Sequence, residues 1–232
     1  MTNTPIINDW DNDGILELII LNDNDGDNNE GFSVYQLSSV GVPTLERNID
    51  DVGSAAGIQI KSLLLYDLDG VGDNEVCLSG YQSSAGAGEA ILKCYNSDGS
   101  LFGSVIMSGG GTISAYPLNL IVAHVNSSIT LSQICTVISN LVLGSDIMCY
   151  DGIYGSLRSS LTDDIVGFGA TMSGSITSND INSDGVDEIL ALNYIYYSNQ
   201  TTFNNFTLSS FSGSGTSGVF ACSVIRDSRM SI

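Results

Sequence analysis

Residues 9–17 read Asp9-Trp10-Asp11-Asn12-Asp13-Gly14-Ile15-Leu16-Glu17, with carboxylates at alternate positions, a glycine at the sixth position and a carboxylate at the ninth. Oxygen ligands at this spacing can surround one hard cation such as calcium, and the glycine permits the sharp turn. The pattern recurs in residues 180–188, and with one change in residues 67–75. We call these three segments loop 1 (9–17), loop 2 (67–75) and loop 4 (180–188).

The loops recur at a nearly constant interval along the chain. Loop 2 begins 58 positions after loop 1, a degenerate copy begins 57 positions later at His124, and loop 4 begins 56 positions after that. The degenerate copy, loop 3 (124–133), lacks the acidic residues. A period of this length indicates a repeat architecture. We therefore expect one domain over residues 1–232, with repeats at approximately 5–57, 58–114, 115–171 and 172–232.

Each repeat is predicted to contain four short strands. In the second repeat they cover residues 58–66, 75–79, 90–95 and 101–107, which are β-branched and aromatic runs separated by Gly, Ser, Asn and Asp. No segment shows a sustained helical period of apolar residues, so helix should be scarce. The predicted fold class is therefore all-β, a β-propeller of four four-stranded antiparallel blades.

An EF-hand is the other common setting for such a loop, and the sequence argues against it. An EF-hand needs helices on both sides and a Glu at the twelfth loop position. That position holds Ile20, Leu78 or Ala191 here.

The pattern Asp-x-Asp-x-Asp-Gly-x-x-Asp/Glu running into an apolar strand resembles the FG-GAP/VCBS-type repeats. Integrin α-chain propellers and propeller lectins contain similar repeats. The resemblance covers the chain as four blades and is most specific at loops 1 and 4. Propellers of this family usually have more blades, so the four blades are expected either to close as a small ring or to form part of a larger propeller. The resemblance also implies that ligands bind on the face opposite the metal loops, or between blades.

Calcium is the cofactor that the loops predict, and its role is expected to be structural. Loop 2 has Val71 where a carboxylate is expected, so it should bind more weakly, and loop 3 should bind no metal. An Asx-rich turn joining two strands is the alternative interpretation of all these loops. The predicted metal ligands are the side chains of Asp9, Asp11, Asp13, Glu17, Asp67, Asp69, Glu75, Asp180, Asn182, Asp184 and Glu188, with the carbonyls of Ile15 and Val186.

The charge balance restricts the classes of partner. The sequence has 6 Lys+Arg against 26 Asp+Glu, a net charge of −20. Nucleic acid and anionic membranes both require basic patches, so neither is expected as a partner. Catalysis is not expected either, because the chain has one His and neither a Gly-x-Ser-x-Gly nucleophile motif nor a glycine-rich phosphate loop.

Four cysteines occupy equivalent places in the second and third repeats. Cys77 and Cys94 lie on neighbouring predicted strands, and so do Cys135 and Cys149. We predict the disulfides Cys77–Cys94 and Cys135–Cys149, with Cys222 free, and buried free thiols are the alternative. No signal peptide is visible, but the predicted disulfides and three glycosylation sequons favour an extracellular or cell-surface chain. The sequons begin at Asn126, Asn199 and Asn205.

The leading functional hypothesis is an extracellular, calcium-stabilised propeller that mediates binding or adhesion through a glycan or protein ligand. Tyr194, Tyr196 and Tyr197 could stack on a sugar ring, or could be alternating core and surface positions of a strand. The second hypothesis is a structural subunit that assembles into an extracellular filament or coat. The third is a polysaccharide-cleaving enzyme domain, because some enzymes of that class use related propellers.

Overall fold

The computed structural model describes a chain built from antiparallel β-sheets. The described residues form sixteen strands in four sheets and contain no helix. The all-β class is therefore confirmed for this part of the chain, and within it no helix has the length and apolar character needed to cross a membrane. The described residues are 5–22, 31–38, 41–49, 58–84, 87–107, 115–117, 119–125, 130–140, 144–152, 158–165, 176–181, 183–191 and 194–196.

Each sheet is built from consecutive segments of the chain. Sheet 1 contains β1 (Ile6–Asn8), β2 (Glu17–Asn22), β3 (Gly31–Leu37) and β4 (Pro43–Ile49). Sheet 2 contains β5 (Ile58–Tyr66), β6 (Glu75–Ser84), β7 (Ala87–Tyr95) and β8 (Leu101–Ile106). The four strands predicted for the second repeat are thus confirmed, with β6 and β7 longer than expected.

The remaining two sheets follow the same plan. In sheet 3, two short strands, β9 (Ala115–Pro117) and β10 (Ile121–Ala123), both pair with β11 (Gln133–Asn140). β12 (Gly144–Asp151) and β13 (Arg158–Ile165) complete it. The described part of sheet 4 contains β14 (Ile176–Asn179), β15 (Glu188–Ala191) and β16 (Tyr194–Tyr196).

The four predicted loops occupy one topological position. Each loop joins the strand at the edge of its sheet to the next strand, and the two strands pair in the same register in every sheet. The residue pairs that close the four loops are Asn8 with Glu17, Tyr66 with Glu75, Ala123 with Gln133, and Asn179 with Glu188. In loops 1, 2 and 4 the ninth loop residue is therefore also the first residue of the second strand. Loop 3 is one residue longer, and its tenth residue, Gln133, begins β11.

Sheets that follow one another along the chain pack face to face. Successive residues of a strand point to opposite faces, so Val76 and Leu78 contact sheet 1 while Cys77 contacts sheet 3. The ring of Phe32 in sheet 1 lies edge-on to that of Tyr95 in sheet 2, with centroids 5.5 Å apart. A further buried cluster joins sheets 3 and 4 through residues such as Val137 and Ile189.

The structure contains both disulfides that the sequence predicts. Cys77 pairs directly with Cys94, and Cys135 with Cys149, with Cα separations of 4.0 and 4.1 Å. All four side chains are buried in the clusters between sheets. The bridges therefore tie β6 to β7 and β11 to β12. Cys222 lies outside the described residues.

Candidate cation loops

All four loops are closed by a hydrogen bond from the N–H of the second residue to the side chain that begins the next long strand, which is the ninth residue in loops 1, 2 and 4 and the tenth in loop 3. In loop 1 the Trp10 N–H donates to Glu17 Oε2 at 2.7 Å, and in loop 2 the Leu68 N–H donates to Glu75 Oε2 at 2.7 Å. The Ile181 N–H donates to Glu188 Oε2 at 2.8 Å in loop 4. These three glutamates are buried, because each begins a strand inside the sheet. The ninth carboxylate thus fixes the start of the loop.

The first carboxylate of the motif organises the turn. The Gly14 N–H donates to Asp9 Oδ2 at 3.0 Å, and the Gly185 N–H donates to Asp180 Oδ2 at 3.0 Å. In loop 2 the Gly72 N–H reaches Asp67 Oδ2 at 3.2 Å. These glycines have φ between 85° and 111°, a region that residues with a Cβ rarely adopt. The fourth residues also have positive φ, at Asn12, Gly70 and Ser183.

Loops 1 and 2 bring three carboxylates together. In loop 1 the ligand atoms of Asp9, Asp11 and Glu17 lie within 4.8 Å of one another. Loop 2 brings Asp67, Asp69 and Glu75 together within the same limit. Both clusters could hold a metal ion, and all of their donor atoms are carboxylate oxygens, the ligands that hard cations prefer.

Two oxygens in loop 1 provide a further test of whether a cation fits. Asp9 Oδ1 and Glu17 Oε1 are buried and accept no hydrogen bond. A buried carboxylate oxygen without a partner is costly unless a cation neutralises it. The residues present in loop 1 therefore fit a bound cation, which would satisfy both oxygens.

The electrostatics of the ninth residues are consistent with that fit. Burial raises the pKa of Glu75 to about 7, and the neighbouring carboxylates of Asp69, Asp67 and Asp73 raise it further, against the lowering effect of the Leu68 N–H. Burial likewise raises the pKa of Glu17. Without a cation, the charged forms of these side chains are thus disfavoured.

Loop 4 repeats the turn of loop 1, although Asn182 lies outside the described residues. The Val186 N–H donates to Asp184 Oδ1 at 2.9 Å, as the Ile15 N–H donates to Asp13 Oδ1 at 2.7 Å in loop 1. Whether the carbonyls of the seventh residues, Ile15 and Val186, are metal ligands stays a prediction. In loop 2 the fifth residue, Val71, has 82% of its surface exposed and provides no side-chain oxygen.

Loop 3 is a neutral copy of the same structure. The Val125 N–H donates to the Gln133 side-chain oxygen at 2.9 Å, which reproduces the closing bond with an amide in place of a carboxylate. The Gln133 amide nitrogen donates to the Leu131 carbonyl, so the side chain is satisfied internally. His124 bonds through its backbone to Asp187 of loop 4. His124 thus helps to hold loop 3 against loop 4.

The other predicted sites fall mostly outside the described residues. Asn126, Asn199, Asn205 and Tyr197 are all in undescribed segments. Tyr194 and Tyr196 lie in β16. Whether these tyrosines contact a sugar stays a prediction.

Two loop positions, the second and the eighth, have structural roles that were not predicted from the sequence. The second residue is buried in the cluster shared with the following sheet: Trp10 lies in the cluster of sheets 1 and 2, and Leu68 in the cluster of sheets 2 and 3. The eighth residue bonds to the preceding loop, as the contacts of Asn74 and Asp187 show. An apolar second residue in every loop was the available signal for the first role. The eighth residues share no side-chain type, so that role had no sequence signal.

Comparisons with known proteins relate this fold to polysaccharide lyases. No family model matches the chain, and no curated protein matches it. The chain is similar in structure to the rhamnogalacturonan lyase PL11 of Bacillus licheniformis, with a TM-score of 0.55 and 18% identity over 84% of this chain. It is also similar to rhamnogalacturonan lyase YesW, with a TM-score of 0.54 and 18% identity over 83% of this chain. The chain spans 40% of the length of each lyase.

These similarities correct the functional prediction. A binding or adhesion propeller was expected, and that prediction is wrong, because the two similar structures given above are rhamnogalacturonan lyases. The prediction that the chain is not an enzyme conflicts only weakly with them, since the likeness at 18% identity is one of fold. The polysaccharide-cleaving alternative is compatible with both neighbours.

Proposed function

We propose that this chain is a calcium-stabilised propeller, or part of one, that itself cleaves an acidic polysaccharide outside the cell. The observation that carries the proposal is the similarity of its sheets to two rhamnogalacturonan lyases, over 84% and 83% of the chain. A lyase cleaves its substrate by elimination, so the proposed product carries a new carbon–carbon double bond. We assign no catalytic residue among the described side chains.

The propeller architecture is supported by the order of the sheets. Four antiparallel sheets follow one another along the chain, and consecutive sheets share buried clusters. Each sheet carries its loop between its edge strand and the next strand, as a repeated blade would. We propose that the repeats are FG-GAP/VCBS-like blades of a single domain, forming either a small ring or part of a larger propeller.

Calcium is the cation that the donor atoms favour. The clusters in loops 1 and 2 consist of carboxylates, and calcium accepts six to eight oxygens in flexible geometry. The proposed ligands are those predicted from the sequence, Asn182 and the carbonyls of Ile15 and Val186 included. When bound, calcium would supply positive charge that offsets the repulsion among these carboxylates and lessens repulsion of an anionic substrate.

An extracellular location is supported by the two disulfides. Disulfides form and persist in oxidising environments and are rare in the cytosol. The pairs Cys77–Cys94 and Cys135–Cys149 are both buried in the sheet clusters. Secretion is also the setting in which a protein would meet a polysaccharide substrate.

Incubation of the chain with rhamnogalacturonan in calcium tests the proposal. We expect ultraviolet absorbance to rise as double bonds conjugated to uronate carboxylates form, with a fall in polymer size measured by gel filtration. A chelator should abolish both changes. A folded, calcium-loaded chain that leaves polymer size and absorbance unchanged would contradict the proposed activity.

A further inference from the structure

The first two loops are connected to each other as well as to their own sheets. The Asn74 N–H donates to the Trp10 carbonyl at 3.2 Å, and Asn74 Nδ2 donates to the Asp9 carbonyl at 3.2 Å. Asn74 directly precedes Glu75, which belongs to the acidic cluster of loop 2, whereas Asp9 belongs to the cluster of loop 1. One residue of loop 2 thus holds the backbone on which loop 1 begins.

An equivalent connection joins sheets 3 and 4 through the same loop position. Asp187, the eighth residue of loop 4, donates its N–H to the His124 carbonyl at 2.7 Å. Its Oδ2 accepts the His124 N–H at 2.7 Å. Two bonds from an eighth residue to the start of the preceding loop therefore occur twice, with different side chains. This recurrence indicates a systematic feature of the fold rather than one accidental contact.

Asp9, the first residue of loop 1, is also one of the three residues whose carboxylates could bind the cation. Asp9 Oδ2 accepts the Gly14 N–H, while Asp9 Oδ1 is buried without a partner. The Asn74 bond fixes the carbonyl of this same residue. Asn74 can donate this hydrogen bond only when the part of loop 2 before Glu75 is ordered. A cation bound by Glu75, Asp69 and Asp67 would order that part of the loop.

We propose that Asn74 is a positioning residue that couples the cation sites of loops 1 and 2, so that a cation in either loop strengthens binding in the other. This inference rests on the proposed calcium sites. Coupling of this kind is reciprocal, and typical values change affinity by about 5- to 150-fold. Direct repulsion between two bound cations acts in the opposite direction, so a gain in affinity requires a physical link such as Asn74.

Calcium calorimetry on variants of the whole chain can measure the coupling. The background substitution Glu188→Gln disables loop 4 and leaves an acceptor for the Ile181 N–H. In that background, Asp69→Asn leaves loop 1 alone, and Asp11→Asn leaves loop 2 alone. The product of the two single-site association constants is then compared with the overall association constant for two calcium ions, which is measured with both loops intact.

With Asn74 present, we expect the overall constant to exceed the product by at least about 5-fold. Asn74→Leu has a side chain that also branches at Cγ but has no amide, so it removes the bond to the Asp9 carbonyl and should reduce the excess to about 1-fold. Loss of stability alone would not do this, because the single-site and overall constants are all measured with Leu at position 74. Ser97→Ala is the matched control, since its hydroxyl bonds Asp73 beside Asn74 at 2.8 Å and should leave the excess unchanged.

Two results would overturn the coupling. One is an overall constant that equals or falls below the product although Asn74 is present, and the other is an excess that persists in Asn74→Leu. Absence of any calcium binding in the single-loop variants would instead overturn the cation sites themselves. The failure of the proposed sites is thus distinguishable from the failure of the coupling.

Discussion

The backbone N–H of Trp10 and the carboxylate of Glu17 form a 2.7 Å hydrogen bond that leaves the second carboxylate oxygen of Glu17 buried without a partner. The first oxygen fixes the loop, and the second remains available to a cation bound with Asp9 and Asp11. Gln133 performs only the first task in loop 3. Charge and loop geometry can therefore be separated experimentally.

Glu17→Gln should preserve the fold and remove most of the calcium effect at loop 1. The amide oxygen can accept the Trp10 N–H as Gln133 accepts the Val125 N–H, but the negative charge is lost. A site filled at 100 times its dissociation constant stabilises the native state by about 2.7 kcal/mol. We expect the calcium-dependent part of the unfolding free energy, measured by urea denaturation, to fall by about that amount.

Glu89→Gln is the control for this substitution, because Glu89 lies in β7 and pairs with Gln82, at the end of β6 that lies away from loop 2. Its calcium-dependent stability should match that of the wild type. An undiminished calcium effect in Glu17→Gln would show that loop 1 binds no cation through Glu17.

Without calcium, stability should fall as pH rises, because burial holds the pKa of Glu75 at about 7 in the folded chain. A carboxyl whose pKa is raised on folding favours the folded state below its unfolded pKa, and that contribution is lost as pH rises through the folded pKa. In chelator, we expect the melting temperature to decrease between about pH 5 and pH 8. Glu75→Gln should flatten this part of the profile.

Calcium should reverse the trend over the same pH range, since a cation binds the ionised carboxylate and competes with the proton. Melting curves at several pH values, with and without calcium, check both statements. A wild-type profile in chelator that matches that of Glu75→Gln would contradict the first.

Gly152→Ala should destabilise the contact between sheets 2 and 3. A Cβ at this position would overlap the Leu68 side chain and lie 2.8 Å from the Leu68 carbonyl oxygen. Overpacking of a closed site typically costs about 1–3 kcal/mol. We expect urea denaturation to show a loss in this range, and adding Leu68→Ala should cost less in the Gly152→Ala chain than in the wild type. Independent, additive losses would argue against the contact.

Ile19→Cys combined with Val34→Cys should form a third disulfide. Ile19 pairs directly with Val34 in sheet 1, at the place that Cys77 and Cys94 occupy in sheet 2. Titration of the unfolded, unreduced protein should therefore find no more free thiols than in the wild type. The bridge should add at most about 3 kcal/mol, since it closes a short loop. Two additional free thiols would contradict the equivalence of these positions.

The loops and disulfides were predictable because each depends on local spacing. Asp9, Gly14 and Glu17 stand at fixed offsets, and a buried strand begins at the ninth position, so the loop and the following strand are specified together. Likewise, the two cysteine pairs lie at equivalent places in successive repeats, and antiparallel pairing brings their Cα atoms to about 4 Å.

Contacts between sheets were harder to predict from the sequence than the loops and disulfides. The bonds of Asn74 and Asp187 to the preceding loop use backbone groups and two different side chains, so they share no pattern. The function was predicted wrongly for a related reason: the loops specify a scaffold, and unrelated activities share scaffolds. The similarity of this chain to the two lyases lies in the fold, since their sequence identity to it is only 18%.

Calcium stoichiometry by equilibrium dialysis tests the central claim most directly, which is that cations hold the turns between the first strands of the sheets. We predict one calcium ion for each of loops 1, 2 and 4, one fewer in Glu17→Gln, and one fewer again when Glu188→Gln is added. A folded wild-type chain that retains no calcium, or the same number of ions in all three proteins, would contradict the account.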